Sequence, residues 1–190
     1  MANKSVTYTI TVNDKKLKLD FAQAFALADA LLEADQPQQA KSIFAALAKV
    51  KDRGPRAKLM LAQCEATLRH FQACSEILDA TFSDEDGPPE PIAQELQNAF
   101  VFNKLGFRDD AIRSMHKLAS KFENLPTLCL MLGDMFKEQR KFDKAKACWK
   151  LAKKRDLLKG GVAIAADRRL KKLTTVQKNP LVFIPDPKLL

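Results

Sequence analysis

Leu132-Gly133-Asp134-Met135-Phe136, then Arg140-Lys141-Phe142-Asp143-Lys144-Ala145, then Trp149: the reading of this stretch decides the fold. It places a small residue, Gly133, in one apolar-periodic segment and a second, Ala145, early in the next. The large apolar Trp149 follows four positions on. Apolar residues recur at i, i+3 and i+4 on both sides of a short polar break, which is the period of an amphipathic helix and predicts two consecutive helices. Two antiparallel helices approach closely only where small side chains face each other. A large residue one turn later then fills the gap to the next pair.

The same three positions recur upstream. Ala28, Ala62 and Ala99 match Gly133; Ala40, Cys74 and Ala111 match Ala145; Phe44, Leu78 and Met115 match Trp149. The units start at Phe21, Pro55, Ile92 and Pro126, spaced 34, 37 and 34 residues apart. The three extra residues coincide with Ser83-Asp84-Glu85-Asp86-Gly87-Pro88-Pro89-Glu90-Pro91, an acidic loop read as plain solvation. Such periods mark a helical-repeat solenoid. Helices are expected over 20–34, 37–51, 55–69, 71–82, 90–105, 108–122, 126–139 and 142–156. Pro37, Pro55 and Pro126 sit where a first helical turn tolerates them.

The pattern resembles the tetratricopeptide repeat family over residues 21–158. The copy at Leu132-Gly133 is the best, that at Lys104-Leu105-Gly106-Phe107-Arg108-Asp109-Asp110-Ala111 is good, and the second is degenerate, with Cys74 where the family prefers Ala. The resemblance implies an all-α solenoid that binds extended or helical peptides on its concave face. The side chains expected there are Phe25, Leu59, Leu96 and Leu130, then Asp29, Gln63, Phe100 and Asp134, with Asn103, Lys104 and Lys137 beyond. Members that grip chaperone carboxylates do so with a clamp of Lys, Asn and Arg. The matching sites here carry Phe25, Asp29, Met60, Ala93 and Gln97, so an apolar client segment is expected instead.

The flanks differ from the repeats. Val6, Tyr8, Ile10 and Val12 alternate with threonines, Asn13-Asp14 supplies a turn, and Leu17 and Leu19 alternate with lysines, which reads as a β-hairpin. After the repeats, Lys159-Gly160-Gly161 is a helix stop. An amphipathic helix over 162–177 follows, with Ala166, Leu170, Leu173 and Gln177 on one face and Arg168, Arg169, Lys171 and Lys172 on the other. It is expected to cap the solenoid. The division is thus 1–20 hairpin, 21–54, 55–91, 92–125 and 126–158 repeats, 159–178 basic capping helix, and 179–190 an extended apolar tail.

Charge concentrates late in the chain. Residues 137–178 hold 15 Lys and Arg against 4 Asp and Glu, whereas 1–136 hold 16 against 18. An anionic partner, whether acidic protein, nucleic acid or another anionic surface, is therefore expected at Lys153, Lys154, Arg155, Arg168, Arg169, Lys171 and Lys172. The four cysteines, Cys64, Cys74, Cys129 and Cys148, form no metal-ligand spacing and read as buried reduced thiols of a cytoplasmic protein. No apolar run long enough to span a membrane, no secretory signal and no catalytic motif is visible, and neither metal nor cofactor is expected. The expectation is a non-catalytic scaffold, assembly factor or chaperone for a protein or peptide client, with self-association left open. Nucleic-acid or ribonucleoprotein binding through the basic third is the alternative.

Overall fold

The computed structural model describes residues 7–12, 15–50, 53–82, 91–158 and 160–178, with backbone alone at 11, 12, 15, 91 and 176–178. The expected turn at Asn13-Asp14, the acidic stretch at 83–90, Lys159 of the helix stop and the 179–190 segment lie outside the described residues.

Strands β1 (Tyr8–Val12) and β2 (Lys15–Leu19) pair antiparallel, with Tyr8 opposite Leu19 and Ile10 opposite Leu17. A two-stranded hairpin is marginal alone. This one is held because Tyr8, Ile10 and Leu19 pack on the helical core, with the Tyr8 ring edge-on to Phe21 at 6.5 Å. Nine helices follow among the described residues: α1 (Phe21–Glu33), α2 (Pro37–Leu47), α3 (Gly54–Thr67), α4 (Phe71–Phe82), α5 (Pro91–Leu105), α6 (Arg108–Lys121), α7 (Pro126–Glu138), α8 (Phe142–Arg155) and α9 (Val162–Lys178). Asp20 starts α1 with a capping box. The Gln23 N–H donates to Asp20 Oδ1 at 2.8 Å while the Asp20 N–H donates to Gln23 Oε1 at 3.1 Å.

The four hairpins share one turn. One or two positions past each first helix lies a residue with left-handed φ: Asp35 at 58°, Arg69 at 62°, Gly106 at 92° and Arg140 at 58°. In each, the next N–H reaches back five residues to a carbonyl: Gln36 to Leu31, His70 to Glu65, Phe107 to Phe102 and Lys141 to Phe136, at 2.8–2.9 Å. This backbone closure satisfies helix-end carbonyls that would otherwise lack partners.

Small residues bring the helices of a pair together, as the period requires. Ala28, Ala40, Ala62, Cys74, Ala99, Ala111 and Ala145 are fully buried, as are Phe44, Leu78 and Met115. The Gly133 backbone lies so close to the Trp149 indole that a Cβ there would sit 2.4 Å from Nε1. Leu61, at the same register as Leu27, is only half-buried against the core.

Helices pack in chain order, giving an all-α helical-hairpin solenoid, but two further contacts close it. Helix α3 packs against α7 as well as α1 and α5, and α9 packs against α8, α7 and α1. The array curls until its last described helix meets its first.

Candidate functional site

The closure is built from charge. Arg169 on α9 grips Asp29 of α1 with both terminal nitrogens, at 2.6 Å and 2.9 Å, and donates to Asp134 of α7 at 2.7 Å and 2.8 Å. Its Nε also lies 3.2 Å from Glu33. Arg168 pairs with Asp29 and Glu33 and donates to the Ala26 carbonyl, while Lys172 reaches Glu33 at 2.7 Å. Three acids on the inner faces of α1 and α7 thus meet three cations on one side of α9. A buried pair of this kind gains little over an apolar core, but removing one partner strands the other charge.

The titration of these groups follows. Burial pushes the Asp134 carboxyl above its usual range, with the Arg169 guanidinium opposing it. At Glu33 burial acts upward, but Arg169, Lys172 and Arg168 outweigh it and hold the carboxyl below its usual range. Burial would lower Arg169, and the Asp134 and Asp29 carboxylates instead raise it well above its ordinary value.

A second clasp positions the start of α9. Arg56 of α3 pairs with Asp156, both buried, and Asp156 accepts the Gly160 and Ala163 N–H groups at 2.9 Å each. Gly161, at φ 88°, passes so near α1 that a Cβ would lie 2.6 Å from the Ala22 carbonyl oxygen. The Gly-Gly pair therefore does more than end a helix. It lets the chain enter the inner side of the solenoid.

This geometry places the expected peptide-groove residues within the chain's own packing. Phe25, Leu59, Leu96 and Leu130 are fully buried, Phe100 is nearly so, and Asp29 and Asp134 are held by Arg169. Of these, Asp134 alone keeps some exposure, its side chain 26% accessible. Gln63 and Asn103 are half-buried, with Gln63 Oε1 and Asn103 Oδ1 unpartnered among the described atoms. Lys104 and Lys137 are exposed.

The expected anionic-partner patch is also divided. Arg169 is only 4% exposed, so its placement on an outer cationic face of the last helix is corrected: carboxylates on α1 and α7 compensate its desolvation. Arg168 and Lys172 share that seam. Arg155 donates to Glu123 at 2.7 Å and to the Ala119 carbonyl at 2.8 Å, and Lys153 pairs with Asp167 at 2.8 Å. Lys154 and Lys171 are exposed and make no ion pair among the described residues.

Beside this seam, α9 leaves an opening that Glu33, Arg168, Arg169 and Lys172 of the seam also line. Between α9 and α8 lies a groove of about 880 Å³. Its apolar lining includes Phe142, Trp149, Ile164 and Leu173, and Lys137, Arg168, Arg169, Lys171 and Lys172 bring cations to it, with Glu33 and Asp167 the acids present. Sequence periodicity missed this groove because it needs Ile164, 47% exposed, on the side assigned to solvent. Two signals were available: Ile164 itself, out of phase with Ala166, Leu170 and Leu173, and the inward Asp29 and Asp134 at equivalent repeat positions.

A smaller cavity of about 320 Å³ lies among α6, α7 and α8, lined in part by His116, Cys129, Cys148 and Arg155. Burial, aided by Cys129, pushes the Cys148 thiol up to about 11. Burial likewise raises Cys129, against the opposing Arg155 guanidinium. These thiols stay protonated at neutral pH and supply no ready nucleophile. Among the described residues no group of three or more His, Cys, Asp or Glu is placed to hold a metal ion, and no helix is long and apolar enough to cross a membrane.

Comparison with family models finds no match, and neither does comparison with curated proteins.

Proposed function

We propose that this chain is a non-catalytic protein–protein interaction module of the tetratricopeptide kind, acting as a scaffold, assembly factor or chaperone. Its client would be a segment with apolar residues and carboxylates, taken in the α8–α9 groove. The repeated left-handed turns at Asp35, Arg69, Gly106 and Arg140 support the repeat reading, since they keep the 34, 37 and 34 spacing of the sequence units. The observation that carries the function is the groove itself: an apolar floor at Phe142, Trp149 and Ile164 beside Lys137 and Lys171. Apolar area gives such a site its affinity, and the lysines select for carboxylates and speed encounter. Part of the inner row, where tetratricopeptide clients are usually expected, is taken up here by α9 at Asp29 and Asp134, and so the site moves to the groove beside that seam.

The test uses fluorescence anisotropy on the full chain with a dye-labelled amphipathic peptide carrying Leu, Phe and Glu, and a control with Lys for each Glu. The glutamate peptide is expected to bind more tightly, with Lys171→Glu and Ile164→Asp each weakening it at least tenfold. Equal binding of both peptides, or indifference to Ile164→Asp, overturns the assignment. A single-stranded oligonucleotide in the same assay decides the alternative. Its binding should be weak, because Arg168, Arg169, Arg155 and Lys153 are already paired within the chain. Tighter binding than the peptide, with a steep salt dependence, would replace this reading with nucleic-acid recognition.

A further inference from the structure

Polarity is inverted at the turn from α8 to α9. Asp156 is buried there against Arg56, while the next two residues, Leu157 and Leu158, are 84% and 48% exposed. Gly160, Gly161 and Val162 are buried again. An acid inside and two leucines outside reverse the usual partition of side chains. The turn is also tied. Asp156 accepts the Gly160 and Ala163 N–H groups, and the Leu157 N–H donates to the Arg155 carbonyl, each at 2.9 Å. The chain is thus held on both sides of the leucines, which keeps them outward.

The patch continues along the outer side of α8. Leu151, seven positions before Leu158, is exposed as well. Lys150 and Lys154, one helical turn apart, are exposed beside it and make no ion pair among the described residues. Lys153 and Arg155 are instead paired with Asp167 and Glu123. Whatever covers this patch must be apolar where the leucines enter and anionic around them. Nucleic acid offers the charge without the apolar depth. Leu157 and Leu158 line neither the groove nor the smaller cavity, and a bilayer yields to protruding side chains without a matching pocket.

We propose that this turn docks on an anionic membrane surface, with Leu157 and Leu158 in the boundary between headgroups and acyl chains and Lys150 and Lys154 against the headgroup anions. Apolar insertion and attraction to anionic lipid add together in such binding. Each lysine near the surface strengthens it about fivefold, a share that salt screens. The site uses neither Ile164 nor Lys171, so its failure would leave the peptide groove standing.

The experiment sediments the full chain with vesicles of phosphatidylcholine alone and of phosphatidylcholine with phosphatidylserine. The wild type is expected to partition at least tenfold more strongly onto the serine-lipid vesicles. Leu157→Ser with Leu158→Ser, and separately Lys150→Glu with Lys154→Glu, should each weaken that partition at least tenfold. Leu157→Trp should strengthen it, a gain that misfolding does not produce, since Trp favours the bilayer interface. No binding, equal binding to both vesicles, or indifference to the leucine changes overturns the proposal, the last by reducing the contact to plain charge adsorption. Sedimentation without vesicles tests a second copy as the occupant: a wild-type dimer that the leucine changes convert to monomer would overturn membrane docking.

Discussion

Two adjoining strips of the α9 surface solve opposite problems with neighbouring residues, and Arg168, Lys172 and Glu33 border both. Toward α1 and α7, Arg168, Arg169 and Lys172 meet Asp29, Glu33 and Asp134, and the side chain of Arg169 is 4% exposed. Toward the α8 groove, Ile164 and Lys171, only a turn or two away along the helix, remain in solvent. The contrast teaches that a run of cations is not one surface. Each residue's role depends on what the fold sets opposite it, and one helix can both lock a solenoid and leave it an open site.

The strongest way to break that contrast is to remove the lock. Arg169→Ala strands Asp29 and Asp134 and should cost about 3–5 kcal/mol of stability, measured by the chemical denaturation midpoint. Adding Asp29→Asn and Asp134→Asn should restore part of the loss; no restoration would mean that Arg169 acts through packing alone.

Next comes the entry of the chain to the inner side. Gly161→Ala meets both a left-handed backbone and the Ala22 carbonyl, and should cost about 2–4 kcal/mol. Gly106→Ala, at φ +92° with nothing within 4 Å of the new Cβ, should cost only about 1–2 kcal/mol. Equal losses for the two alanines would deny the close contact between Gly161 and α1.

A smaller effect is expected from acid. The Glu33 carboxyl is held below its usual 4.5, so its contribution to stability is complete above that pH and is lost as pH falls through the depressed folded value. Glu33→Gln should therefore flatten the pH dependence of the midpoint on the acid side of pH 4.5. An unchanged slope would remove Glu33 from the seam. Smallest of all, Lys171→Glu should alter stability by no more than about 0.5 kcal/mol, because it touches no ion pair among the described residues. A loss comparable to that of Arg169→Ala would erase the distinction between the two strips.

Helix placement was largely legible from the chain. The 3.6-residue period and the prolines at 37 and 126 locate α2 and α7 at their observed starts, and the expected 71–82 helix matches α4 (Phe71–Phe82). The helix expected at 37–51 stops earlier, at Leu47, because Ala48 and Lys49 form a turn, and the Gly54 backbone lies against the Ala48 carbonyl. The hairpin turns were less visible, since only Gly106 advertises a left-handed residue. Asp35, Arg69 and Arg140 adopt the same conformation because the backbone closure after each first helix imposes it. The candidate site was least legible. Amphipathic periodicity assigns Arg169 to solvent, and only a partner 140 positions away in the chain, Asp29, reveals why it is buried. Local patterns carry no information about such distant pairs.

Closing the solenoid on itself also sets an order of assembly. An open repeat array can form from either end, because each pair needs only its neighbours. Here the Arg169–Asp29 bond spans 140 residues and forms only once the intervening pairs have stacked, so its loop entropy is settled last. The same seam should be the first to part. Amide exchange in α9 is then expected to proceed through an opening that leaves α3 to α6 intact, a detachable latch on a body that has already folded.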